Sequence, residues 1–222
     1  MLSEIIKDKK ILNLALTHKS LINENHLKTY MSNERLEFLG DAVLELATTE
    51  FLFQQLPQEN EGKMTALRSA LVKTTSLAQI AQEIGLNKMI LISKGEEMTG
   101  GRKNISILAN TFEAFLGAIY LDRGMKEVKK FLKQHLFTKL EIIDSQKLYK
   151  DAKSEFQEIV QAKGVPTPIY EVISEKGPDH DKEFTIQVKV GDKIAGKGVG
   201  KSKQQAQQNA ASNALLNFLT NY

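Results

Sequence analysis

Three acidic side chains, Glu34, Glu37 and Asp41, follow one another at intervals of three and four residues. On a helix turning about 100° per residue they share a stripe roughly 60° wide. Like charges so placed repel by about 0.2–0.5 kcal/mol per pair, and a divalent cation would remove that repulsion. Clustered carboxylate oxygens are the hard ligands Mg²⁺ prefers. Asn110 and Glu113 lie far along the chain, three residues apart on a second helical run that continues through Gly117. Gly40 sits inside the first helical segment, where it costs about 1 kcal/mol relative to Ala. Close approach of another helix, or of a substrate backbone, would explain it. If the second helix crosses the first near Gly40, four oxygen-bearing side chains converge. Spacing alone leaves the alternative open: Glu34 paired with Arg35 or Lys28, and the remaining acids solvated. His18, His26 and His135 fall in helical contexts without metal-ligand spacing and read as structural.

The elements that must position these groups follow from periodicity. Residues 1–145 read as an all-α domain, with Leu12, Ala15 and Leu16, then Leu36, Leu39, Val43, Leu44 and Leu46, then Leu67 to Ile84 at helical spacing. Gly85 and Asn87 offer a stop. Phe112–Leu121 is apolar nearly all round, as in a central buried helix. Pro57 with the polar stretch 58–62, and Gly100–Gly101, mark loops. A polar linker runs from Asp144 to Asp151. Residues 151–220 then read as a small α+β domain of order α-β-β-β-α. Its parts are a helix over 151–163, a strand from Tyr170, a break at Gly177–His180, and alternation from Phe184 to Val190. A hairpin turn at Gly191-Asp192, a short third strand over 194–197 and a helix opened by Ser202 complete it.

The chain has 222 residues, 30 Lys+Arg against 27 Asp+Glu, and no cysteine. That excludes a disulfide scaffold and any thiolate metal site or nucleophile. No segment reads as approaching the roughly 20 apolar residues of a membrane span, and the N-terminus lacks a signal-peptide core. The expectation is a cytoplasmic protein with no membrane partner. Within residues 184–222 there are five lysines and one acid. Such a local excess fits an anionic polymer or a solvated face. Ser202 is a plausible N-cap after the glycine-rich approach Gly196, Gly198 and Gly200. Free N–H groups there favour phosphate, and Lys201 and Lys203 add charge.

The stretch NERLEFLGDAVLEL, from Asn33 to Leu46, resembles the signature of bacterial ribonuclease III. Leu16-Thr-His-Lys-Ser20, Gly95-Glu-Glu, Gly100-Gly-Arg102 and the run Thr111–Asp122 are similar to its companion motifs, and residues 151–220 resemble a double-stranded RNA-binding domain. The resemblance covers essentially the whole chain. It implies an all-helical homodimeric endonuclease that hydrolyses double-stranded RNA, as in rRNA and mRNA precursor processing, leaving 5′-phosphate and 3′-hydroxyl ends. The implied cofactor is Mg²⁺, with Mn²⁺ able to substitute. Glu37, Asp41 and Glu113 match the family's metal-binding acids, and Glu34 an assisting acid near the scissile phosphate. Phe38 matches the aromatic that inserts into the partner subunit. Gln157 and Glu158 would meet 2′-hydroxyls in one minor groove and His180 would reach the next, with Lys201, Ser202 and Lys203 on the phosphates. One position departs: Asn110 stands where the family pattern has aspartate. An amide keeps a carbonyl oxygen for Mg²⁺ but removes a charge. That leaves retained activity and a weakened or inactivated RNA-binding protein both open.

Overall fold

The computed structural model describes residues 5–25, 28–147, 149, 151–178 and 181–220. The chain forms two compact units, 1–149 and 150–222.

The first unit is helical among its described residues. Helices α1 (Lys9–Leu16) and α2 (Lys19–Glu24) precede the long α3 (Glu34–Gln55). Then come α4 (Glu61–Leu71), α5 (Thr74–Glu83), the single turns α6 (Leu86–Met89) and α7 (Lys94–Met98), α8 (Ile105–His135) and α9 (Leu140–Ser145). Asparagine side chains start two of them: Asn60 accepts from Lys63 N, and Asn104 from Ser106 N and Ile107 N. Gly85, at φ +84°, ends α5, but Asn87 lies inside α6 and Gly62 inside α4 rather than in the stop and loop their types suggest.

Helix α8 is the axis of the unit. Phe112, Ala114, Phe115, Leu116, Ala118 and Ile119 are fully enclosed, and Gly124 (φ +76°, ψ 176°) breaks the helix direction. By length and composition the stretch from Ile105 is apolar enough to cross a membrane, contrary to the sequence reading; here its apolar side chains form the core of a helical domain. Leu121 and, on α3, Leu46 break with the expected burial and face outward.

Helices α3 and α8 cross with almost no space between backbones. A Cβ built on Gly40 would stand 1.8 Å from the Glu113 carbonyl oxygen, and one on Gly117 would stand 2.3 Å from that of Leu36. The cost of Gly40 to its helix is offset by this packing.

The second unit packs α10 (Ala152–Ala162) and α11 (Lys203–Thr220) on an antiparallel sheet of β1 (Ile169–Lys176), β2 (Glu183–Val190) and β3 (Lys193–Gly200), ordered 1-2-3. Strand alternation buries Ile186 and Val188 against Phe156, Val160, Ala206, Ala210 and Ala214. Val190 pairs with Lys193 across Gly191-Asp192, with Gly191 at φ +58°. The third strand is longer than expected because its glycines are strand residues facing α11. A Cβ on Gly198 would lie 2.1 Å from Ala210 N. Glycine against alanine lets helix and strand touch.

Helix α11 also closes the free edge of β3. Asn209, Asn213 and Asn217 donate from Nδ2 to the carbonyls of Val199, Lys197 and Ala195 at 2.7, 2.7 and 3.0 Å. Four helical residues rise about 6 Å and two strand residues about 6.6 Å, so the two repeats stay in step.

Candidate functional site

The crossing of α3 and α8 brings distant acids together. One cavity is lined by Glu34, Glu37, Phe38 and Asp41 from α3, Asn110 and Glu113 from α8, and His18, Lys19 and Asn33 from the segments leading in. Asp41 and Glu34 are exposed, whereas Glu37, Asn110 and Glu113 are partly buried. All the acids read from spacing therefore share one recess. Glu34 is engaged by Lys19, whose Nζ lies 3.2 Å from its Oε1, and by Ser32, whose Oγ donates to Oε2 at 3.2 Å.

A backbone knot holds the rim. His18 N donates to Leu91 O at 2.9 Å, Leu91 N to Leu16 O at 2.8 Å, and Asn33 N to Thr17 O at 2.8 Å. Ser93 N donates to Ser20 Oγ at 3.0 Å. The Leu16–Ser20 motif is thus a junction that ties three segments and aims Lys19 at Glu34. His18 lies in that junction rather than within a helix. Its Nδ1 accepts from Ser20 N at 3.3 Å, capping α2, and its ring also lines the cavity. Behind the knot, Arg102 clamps Glu97 with two hydrogen bonds and donates to the carbonyls of Asn87 and Ile90.

Electrostatics mark the recess as an unbalanced acidic site. Burial, then the charges of Asp41, Glu37 and Glu45, push Glu113 up to about 7. Burial and the neighbouring Glu34 raise Glu37, opposed by Lys19 and by a hydrogen bond from Asn110. Among the described residues, no three His, Cys, Asp or Glu side chains already stand close enough to hold a metal ion. The donor chemistry fits a hard divalent ion: four carboxylates and the Asn110 amide oxygen line one recess.

Phe38 is not a core residue. It is 83% exposed, and Leu46 and Phe53 on the same helix are 59% and 70% exposed. At 100° per residue the three fall within about 80° of one another, an apolar stripe flanking the acidic one.

On the second unit, Gln157 and Glu158 are exposed on α10, and Lys201, Ser202 and Lys203 are exposed where α11 begins. Ser202 Oγ accepts from Gln205 N at 3.2 Å, and Gln205 Oε1 accepts from Lys201 N at 2.9 Å, a reciprocal cap. Asp151 caps α10 and accepts from Gln208 of α11, which fixes the two helix starts together. His180 lies outside the described residues, as does His26.

The sequence matches the ribonuclease-III-like family over residues 8–140 and the double-stranded RNA binding motif over 152–218. The chain belongs to the ribonuclease III family. Ribonuclease 3 of Bacillus velezensis is 46% identical over 184 residues, 83% of this chain and 74% of that protein. Ribonuclease 3 of Bacillus cereus is 45% identical over 185 residues, 83% and 75% of the two chains. The nuclease domain of ribonuclease III from Campylobacter jejuni, described as flexible in a region involved in dimer formation, superimposes with a TM-score of 0.55 at 42% identity. It covers 60% of this chain and 92% of that one. The chain is a ribonuclease III-type endoribonuclease joined to a double-stranded RNA-binding domain.

Two residues of this ribonuclease III escape a reading by acid triplets. Glu45, one turn beyond Asp41, extends the acidic stripe and is held by Arg68 Nε at 3.0 Å; its i+4 spacing was the available signal. Lys19 was visible only as part of a motif, because its meeting with Glu34 depends on the knot.

Proposed function

We propose that the protein is a Mg²⁺-dependent homodimeric endonuclease that cuts double-stranded RNA. The observation that carries this reading is the convergence of Glu37, Asp41, Asn110 and Glu113 in one recess at the Gly40–Gly117 crossing, beside an RNA-binding domain in the same chain. Bound there, Mg²⁺ supplies an acidified water and charge stabilisation for phosphodiester hydrolysis. Glu37, Asp41 and Glu113 would hold it as anionic ligands. Asn110 donates to Glu37 and offers a neutral oxygen. Glu34, steadied by Lys19 and Ser32, stands at the rim where the scissile phosphate enters. Hydrolysis that breaks the P–O3′ bond leaves a 5′-phosphate and a 3′-hydroxyl.

The exposed Phe38–Leu46–Phe53 stripe supports the dimer. An apolar face of this kind on a long helix is what a second copy covers, and Phe38 is its residue nearest the acids. Two sites related by a two-fold axis would cut opposite strands with a stagger. Cleavage of duplex RNA under Mg²⁺ titration, compared with the Asn110→Asp variant, is the deciding experiment. Scission by the unaltered chain supports the nuclease. Duplex binding without scission at any Mg²⁺ or Mn²⁺ concentration, restored by Asn110→Asp, would leave an inactivated RNA-binding protein instead.

A further inference from the structure

The basic excess along residues 184–222 does not survive folding intact. Lys189 Nζ lies 2.7 Å from Glu171, Lys201 Nζ 2.8 Å from Asp181, and Lys203 Nζ 3.0 Å from Glu175. Acids from β1 and from the turn before β2, all outside that segment, neutralise three of its five lysines. Two of these pairs stand at the start of α11, where free N–H groups and the Ser202 cap make the anion-facing end of the unit. Lys203 is held further by the Phe184 ring, 5.5 Å from its Nζ. The third pair, Glu171–Lys189, sits away from α11. Glu171 pairs with Gln187, which alternates with the inward Ile186 and Val188, so it lies on the sheet face turned from the helices.

Exposed ion pairs contribute little to stability, so the consequence of Asp181 and Glu175 lies in binding. We infer that Asp181 and Glu175 are built-in competitors for the phosphates of duplex RNA. They hold Lys201 and Lys203 in place and lower their grip, so the ligand that binds well is one whose phosphates displace both carboxylates together. This rests on the reading of the unit as a duplex RNA binder. Each lysine that moves from carboxylate to phosphate leaves a bare carboxylate beside the RNA, and that carboxylate recruits a cation. The counterion released by the RNA, about 0.9 per phosphate contact, is thereby largely cancelled.

The test uses the full chain and a duplex RNA in EDTA, with affinity followed by fluorescence anisotropy from 50 to 300 mM salt. Asp181→Asn and Glu175→Gln should each bind about threefold to tenfold tighter near 0.1 M salt. Each should also steepen the slope of log K against log salt by about one. Glu171→Gln, which frees Lys189 on the other face, should change affinity less than about twofold. In a Lys201→Ala background the gain from Asp181→Asn should vanish. Unchanged or weaker binding by both variants, an equal gain from Glu171→Gln, or a gain that persists without Lys201 overturns the proposal. Failure of the unaltered chain to bind duplex RNA at low salt would instead overturn the RNA reading beneath it.

Discussion

Glu113 concentrates the electrostatics of the recess. Its carboxyl is pushed up to about 7 by burial first, and then by Asp41, Glu37 and Glu45. A raised carboxylate binds its proton more tightly folded than unfolded. The metal-free protein therefore gains stability as pH falls from about 7 toward 4.5, and loses it as pH rises through that window. A Mg²⁺ ion that takes Glu113 as a ligand must displace this proton. Below pH 7 its binding should release close to one proton, with affinity falling about tenfold per pH unit; titration calorimetry in two buffers of different ionisation enthalpy measures the release. No proton release would place the ion away from Glu113. Asn110→Asp adds an anionic ligand and should lower the Mg²⁺ needed for half-maximal cleavage by about tenfold. The same change removes the donor that favours ionised Glu37, so the metal-free variant should melt earlier at pH 8 than the parent chain. An unchanged Mg²⁺ requirement would show that Asn110 is not a ligand.

At the scale of elements, the site exists because two helices touch backbone to backbone. Helix propensity alone makes Gly40→Ala stabilising by about 1 kcal/mol. The contact with the Glu113 carbonyl, 1.8 Å from the added carbon, reverses the sign. Gly40→Ala should destabilise by about 3 kcal/mol or more in denaturant unfolding, and a more stable variant would contradict the crossing. In the second unit the asparagine row does the same kind of positioning. Asn213→Ala frees the Lys197 carbonyl on the β3 edge and should cost about 1 kcal/mol, with faster amide exchange along β3.

At the scale of the molecule, the apolar stripe of α3 and the acids beside it must act together. Phe38 is almost wholly exposed, so Phe38→Glu should leave the melting temperature of the protomer nearly unchanged. Light scattering should then find monomers, duplex cleavage should fall by about 100-fold or more, and gel shift of uncut duplex in EDTA should persist. A dimeric, active Phe38→Glu protein would remove the stripe from the assembly.

Much of this was legible along the chain, because it depends on local periodicity. The spacing of Glu34, Glu37 and Asp41 put three acids on one stripe, the apolar run from Phe112 marked the core helix, and alternation from Phe184 to Val190 marked the central strand. Contacts between residues far apart in sequence were not legible, since nothing in their spacing encodes who meets whom. Gly198 and Gly200 looked like an approach to a helix and belong to β3, because only the facing alanines of α11 show why they lack side chains. The lysines of 184–222 looked like an open basic patch until folding brought Asp181 and Glu175 to them. Residue types and their periods determined which groups were available and on which faces. Close packing of backbones at Gly40 and Gly117, and charge pairing across the α11 start, decided which of those groups share a site.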